Sequence, residues 1–160
     1  MIIFGFDFDN TIINYDKVFY FWARKKKLIK NSTLKNKETI KRAIIKRNQI
    51  KDWIKLQSEV YSRGIHSAKS NKEFIKIFKY LQKEKVKFYI VSHKTKYPYY
   101  GKKINLHKLS NGWLRKNIFN KRNNIKKCKC YFESSQTKKI IRIKKLKITH
   151  FVDDLQKVLN

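Results

Sequence analysis

At 160 residues the chain has the length of one ordinary domain, and 41% apolar with 14% aromatic residues is enough to bury a core, which excludes a disordered chain. Forty-one Lys and Arg against eleven Asp and Glu give a net charge of +30, a field that attracts nucleic acid and other polyanions without sequence preference. No apolar run reaches the roughly 18 residues of a membrane-spanning helix, and the first residues read as a core strand rather than a basic leader, so the expected compartment is the cytoplasm. Lys, Ile and Asn are abundant together, as in AT-rich coding, which accounts for part of the charge; the scarcity of Glu is not explained that way.

Ile2, Ile3, Phe4 and Phe6 form a short apolar run with one Gly, the pattern of a strand buried on both faces. It continues into Asp7-Phe8-Asp9-Asn10-Thr11. Strand alternation puts Asp7 and Asp9 on one side with Phe8 turned away. The C-terminal end of such a strand faces the crevice where open α/β sheets bind ligands. Two carboxylates that close need a cation between them or a proton on one of them. Hard oxygen donors with room left for water suit Mg²⁺. Taken alone, the same residues read equally well as an Asx-rich turn.

Residues 12–27 carry Val18, Phe19 and Trp22 at helical spacing and end in the basic run Arg24 to Lys27. Asn31-Ser32-Thr33 is a candidate cap for the following segment, Leu34 to Tyr61, read as further helix with a basic face. Its candidate buried positions are Ile40, Ala43, Ile44, Trp53, Ile54 and Leu56, and Gly64 breaks it. Ser70 or Asn71 then caps a helix whose apolar face is Phe74, Ile77, Phe78 and Leu81. It feeds a second apolar run, Val86 to Val91, followed by Ser92-His93-Lys94-Thr95 and a loop rich in tyrosine. Leu106, Leu109, Trp113 and Leu114 mark another helix face. Lys129 to Phe132 reads as a third strand, a helix carrying Lys139 follows, and Ile148 to Val152 is a fourth strand ending in Asp153-Asp154. Helices alternating with apolar strands predict an α/β fold with a parallel sheet and right-handed crossovers. Cys128 and Cys130 fall short of the four ligands of a structural zinc site and read as free thiols.

The order strand-DxDxT, strand-Ser, Lys on a helix, strand-DD resembles the haloacid dehalogenase superfamily of phosphatases and phosphotransferases, and its four motifs cover the chain nearly end to end. Ser92-His93-Lys94-Thr95 and Phe151-Val152-Asp153-Asp154-Leu155 resemble, more narrowly, an uncharacterised phosphatase-like group of that superfamily. A Leu-Gln-x-x-x-Tyr stretch of that group is similar to Leu56, Gln57 and Tyr61. The resemblance implies a Rossmann-like three-layer α/β/α core over residues 1–13 and 68–160, with a helical cap inserted at 14–67. It further implies an Mg²⁺-dependent phosphohydrolase acting through an aspartyl-phosphate on a small phosphorylated metabolite, sugar phosphates leading. Asp7 would be the nucleophile and Asp9 the acid and base. Ser92 would donate to the phosphoryl group, and Lys139, rather than the adjacent Lys138, would neutralise charge. The Asp7 carboxylate, the Asp9 carbonyl and the Asp153 carboxylate would hold the metal, with Asp154 and Thr11 in support. His93 and Lys94 either reach the substrate or only line the loop. The alternative, from the charge, is a protein associated with nucleic acid or acting on nucleotide or polynucleotide phosphates.

The family's strand order puts the first strand between the second and the fourth. The fourth strand is then an edge, since only six residues follow Asp154. Ile148, Phe151 and Val152 would make that edge a site of self-association or leave a marginally stable monomer, with Lys144, Lys145 and Lys147 as gatekeepers.

Overall fold

The computed structural model describes residues 1–154. Four parallel strands, β1 (Ile3–Phe6), β4 (Lys87–His93), β5 (Cys130–Glu133) and β6 (His150–Val152), form one sheet in the order β5-β4-β1-β6. β1 is thus interior, between β4 and β6, and β6 is an edge among the described residues. The chain leaves β1 toward β4 and β5 and returns on the other side for β6, so the strand order reverses at β1, where α/β sheets place their ligands. Helices flank both faces. On one, α6 (Gln136–Lys145) lays Ile143 against Ile3, Tyr89 and Val91. On the other, α4 (Lys72–Lys83) and α5 (Leu106–Asn117) bring Phe74, Phe78, Trp113 and Leu114 against Phe6, Phe8 and Ile90.

Between β1 and α4 the chain makes α1 (Asp16–Lys25), α2 (Lys37–Ile45) and α3 (Ile50–Ser62). The insertion enters and leaves through a two-stranded antiparallel ribbon, β2 (Ile13–Asn14) with β3 (Lys69–Ser70). It has no core of its own: Ile40, Ile44, Trp53 and Leu56 belong to the same buried cluster as Phe6 and Phe8.

Several boundaries differ from the sequence reading for local reasons. The first helix starts only at Asp16, because Ile13 and Asn14 pair with β3. Residues 34–61 are two helices rather than one, parted by a turn in which Asn48 takes the left-handed conformation at φ 56°. The cap of α2 is Asn36, whose side chain accepts from the Thr39 N–H at 2.8 Å, and not the Asn31–Thr33 stretch. Asn71 caps α4 in the same way through Glu73 N–H at 3.1 Å. Ile77 is exposed, leaving Phe74, Phe78 and Leu81 as the buried row at helical spacing. Ser92 and His93 lie within β4 rather than beyond it. Val152, one of the apolar residues of that edge strand, is 38% exposed. Leu155, the last residue of the Asp-Asp-Leu motif, lies outside the described residues. No described helix is long and apolar enough to cross a membrane.

Candidate active site

The site grows from the turn after β1. Asp7 ends the strand, and its backbone N–H donates to Val152 carbonyl at 2.9 Å, which ties the first acidic motif to the last strand. The chain then turns sharply: Ile12 and Ile13 N–H both donate to the Phe8 carbonyl at 3.1 Å, and Asn10 adopts φ 58°. Asn tolerates that left-handed conformation better than most residues, and its side chain accepts from Tyr15 N–H at 3.3 Å. Phe8 is fully buried against Trp113 and Phe132, and Asp7 and Asp9 face one cavity.

Lys139 on α6 is 1% exposed and is the only buried residue of its helix. Its Nζ donates to Asp7 Oδ1 at 2.5 Å and to Asp153 Oδ2 at 2.6 Å. One ammonium thus joins the ends of β1 and β6. The neighbouring Lys138 points away, donating to Ser134 Oγ at 3.1 Å in the open. Asp7, Asp153 and Asp154 each offer a carboxylate oxygen, and the three lie within 4.8 Å of one another. Burial pushes the Asp7 carboxyl up to about 7, with Lys139 opposing and Asp9 and Asp153 adding to the rise. The Asp154 residue is largely open, yet its carboxyl is partly withdrawn from water and is pushed up to about 6, with Lys37 opposing. Three hard oxygen donors this close together are a fit for a divalent cation such as Mg²⁺. The carboxylate of Asp9 is not part of this cluster. A metal contact through its carbonyl is untouched by that.

Asp9 is instead held by Lys94, whose Nζ donates to both carboxylate oxygens, at 2.8 and 2.6 Å. Lys94 is 4% exposed and packs over the rings of Tyr61 at 4.6 Å and Phe8 at 5.4 Å. Its backbone is fixed on both sides: its N–H donates to the Glu133 carbonyl at 2.8 Å, and its carbonyl meets His107 Nε2 at 2.8 Å. Ser92 and Thr11 behave differently from the acidic residues. Neither lines the cavity, and both hydroxyls are enclosed without a hydrogen-bond partner among the described residues. Thr11 therefore makes no bond to the backbone of its own turn.

The cavity measures about 230 Å³. Asp7, Asp9, Asp154 and Lys139 line its floor at the sheet's edge; Lys37, Gln57 and Tyr61 come from α2 and α3, and Pro98 and Tyr99 from the loop after β4. Lys94 and Lys37 also line the cavity; the sequence left Lys94 either reaching the substrate or only lining the loop, outside the catalytic set, and placed Lys37 on the basic face of a helix. For Lys94 a signal existed, since it stands at i+2 from Ser92 and so on the same side of an extended chain. For Lys37 none did. Compared with known proteins, the chain matches no family model, no curated protein and no solved structure.

Proposed function

We propose that this chain is an Mg²⁺-dependent phosphohydrolase of the haloacid dehalogenase type, acting on a small phosphorylated metabolite, with sugar phosphates the favoured class. The observation that carries the reading is Lys139 bridging Asp7 and Asp153 at 2.5 and 2.6 Å in a cavity that Asp9 also lines. Phosphoryl transfer needs a nucleophile, a proton shuttle and positive charge on the phosphoryl oxygens, and that arrangement supplies one of each. A carboxylate oxygen of Asp7 attacks phosphorus as the ester P–O bond breaks, and Asp9 gives its proton to the departing oxygen. Water then attacks the phosphorus, Asp9 takes a proton from it, and the Asp7–phosphate bond breaks to release phosphate. Lys139 balances the charge on Asp7 and on the phosphoryl group. The Ser92 hydroxyl, assigned as a donor to the same oxygens by the resemblance, has no partner among the described residues and does not line the cavity, so it reaches them only if the end of β4 shifts. Asp7, Asp153 and Asp154 would hold Mg²⁺, which when bound supplies charge neutralisation to the transferring group.

The cap over the cavity supports a small substrate rather than a polymer, since residues of α2 and α3 close part of its mouth. The second reading, action on nucleotide or polynucleotide phosphates, draws on exposed Tyr97, Tyr99 and Tyr100 standing among Lys96, Lys102 and Lys103 beside that mouth. Hydrolysis of a panel of sugar phosphates, other small phosphate esters and end-phosphorylated oligonucleotides, with and without Mg²⁺, tests both. The expected result is Mg²⁺-dependent release of phosphate that Asp7→Asn abolishes. Absence of turnover for every ester, or an Asp7→Asn variant equal to the parent, would overturn the phosphohydrolase reading.

A further inference from the structure

Three lysines line the cavity, and their surroundings differ. Lys139 is paired with Asp7 and Asp153, and Lys94 is paired with both oxygens of Asp9. Lys37 has no ion pair with a described carboxylate. Its position is nevertheless built. Its backbone N–H donates to Asp16 Oδ1 at 3.0 Å, which pins the first turn of α2 to the start of α1. Lys37, Gln57 and Tyr61 all line the cavity from the insertion, and Tyr61 is near enough to feel both the Lys37 ammonium and the Gln57 side chain. Burial works against the charge on Lys37, but Tyr61, Asp9 and Asp154 outweigh it and keep the ammonium protonated. Burial likewise lifts the Tyr61 phenol to about 12, leaving it a neutral donor at physiological pH.

We infer that Lys37, the Tyr61 hydroxyl and the Gln57 amide form a second anion subsite, and that the substrate carries a carboxylate or a second phosphate beyond the phosphoryl group held at Asp7. The inference rests on the phosphohydrolase reading for what occupies the Asp7 side, and on this wall alone for the second group. Asp9 and Asp154 act on Lys37 across the cavity without forming an ion pair with it, so a partly enclosed ammonium on this wall is matched by an anion. A ligand lacking that anion leaves the cation desolvated and unpaired, which is how a polar pocket rejects analogues strongly.

The test uses the whole protein with Mg²⁺ and three ligands that cannot be hydrolysed: propylphosphonate with no second anion, 3-phosphonopropionate with a carboxylate, and propane-1,3-bisphosphonate with a second phosphonate. Calorimetry should show one or both of the two-headed ligands binding at least about tenfold more tightly than propylphosphonate, and which of them gains identifies the group. Lys37→Met should reduce that preference to about twofold or less, while Lys37→Arg, which keeps the charge, should retain most of it. Equal affinity for all three ligands, binding of none, or a preference that survives Lys37→Met in a folded variant would each overturn the subsite. Turnover of the ester panel is read separately. Preference without hydrolysis keeps the subsite and removes the phosphohydrolase reading, and hydrolysis without preference does the reverse.

Discussion

Asp7 is the residue at which function and stability pull apart. Its carboxyl is raised from 3.8 to about 7, so it takes up a proton on folding anywhere between those values. The sign follows: below the unfolded value the group is neutral in both states and neutral to stability, and as pH rises toward 7 the folded state is progressively disfavoured. At about 1.4 kcal/mol per tenfold in acidity, the effect is on the order of a few kcal/mol in the metal-free protein. Asp7→Asn should therefore melt several degrees higher than the parent at pH 8 without metal, with the gap closing toward pH 4. Mg²⁺ should narrow the gap by stabilising the parent more than the variant, because the ion binds the ionised carboxylate. Thermal melts across pH, with and without Mg²⁺, decide it; a variant that falls further below the parent at pH 8 than at pH 4 would show that the Lys139 bond outweighs burial. Lys94 makes a different prediction. With both oxygens of Asp9 on one ammonium, Lys94→Met removes the group that aims the proposed acid and base and leaves a half-buried charge. Steady-state kinetics should show kcat falling by about 10–100-fold with KM little changed. A rise in KM alone would make Lys94 a substrate-binding group instead.

At the scale of elements, the junction of β1 with β6 sets the spacing of the acidic motifs. Gly5 admits the Phe151 ring: a Cβ there would stand 2.5 Å from Phe151 Cδ2 and 2.9 Å from Ile148 Cδ1. Gly5→Ala should cost about 1–3 kcal/mol, seen as a lower denaturation midpoint, and should weaken Mg²⁺ binding by shifting Asp153. Loss of stability with unchanged metal affinity would mean that β6 yields without moving its end. The four strands and a cap of α4 at Ser70 or Asn71 were legible because apolar runs and Asx caps are local signals, whereas the strand order came only with the family resemblance. Asp7, Asp9 and Asp153-Asp154 were legible for another reason: carboxylates are scarce in this chain, so an acidic pair at a strand end stands out. Lysines are the reverse. Among 41 basic residues only the i+2 spacing from Ser92 pointed to Lys94, and nothing marked cavity-lining Lys37, because which helix face meets the cavity is decided by packing across the insertion. The two-residue ribbon β2–β3 was invisible for a similar reason, since its partners are more than fifty residues apart.

For the whole molecule, the charge of +30 and the β6 edge, unpaired on its outer side among the described residues, act in opposite directions. β6 is three residues long, pairs only with β1 among the described residues, and has exposed Val152, with Ile140 and Ile141 exposed on the adjoining helix. Such an edge is a template for a second copy. Two copies approaching must bring like fields together, and Lys144, Lys145 and Lys147 are all exposed near that edge. At about 0.05 M salt the repulsion extends over more than 10 Å and should hold the protein monomeric; at about 0.5 M it shrinks to a few Å and the edge is free to pair. Light scattering should therefore report a mass near 19.5 kDa at low salt and a concentration-dependent increase at high salt. Nucleic-acid binding must show the opposite dependence, because it is driven by release of counterions. Binding to a single-stranded oligonucleotide that is strong at low salt and gone near physiological salt would assign the charge to solubility and self-repulsion. Binding that persists there, with a steep log-log slope, would favour the polynucleotide reading. A monomer at every salt concentration would show that the edge of β6 is protected by something other than charge.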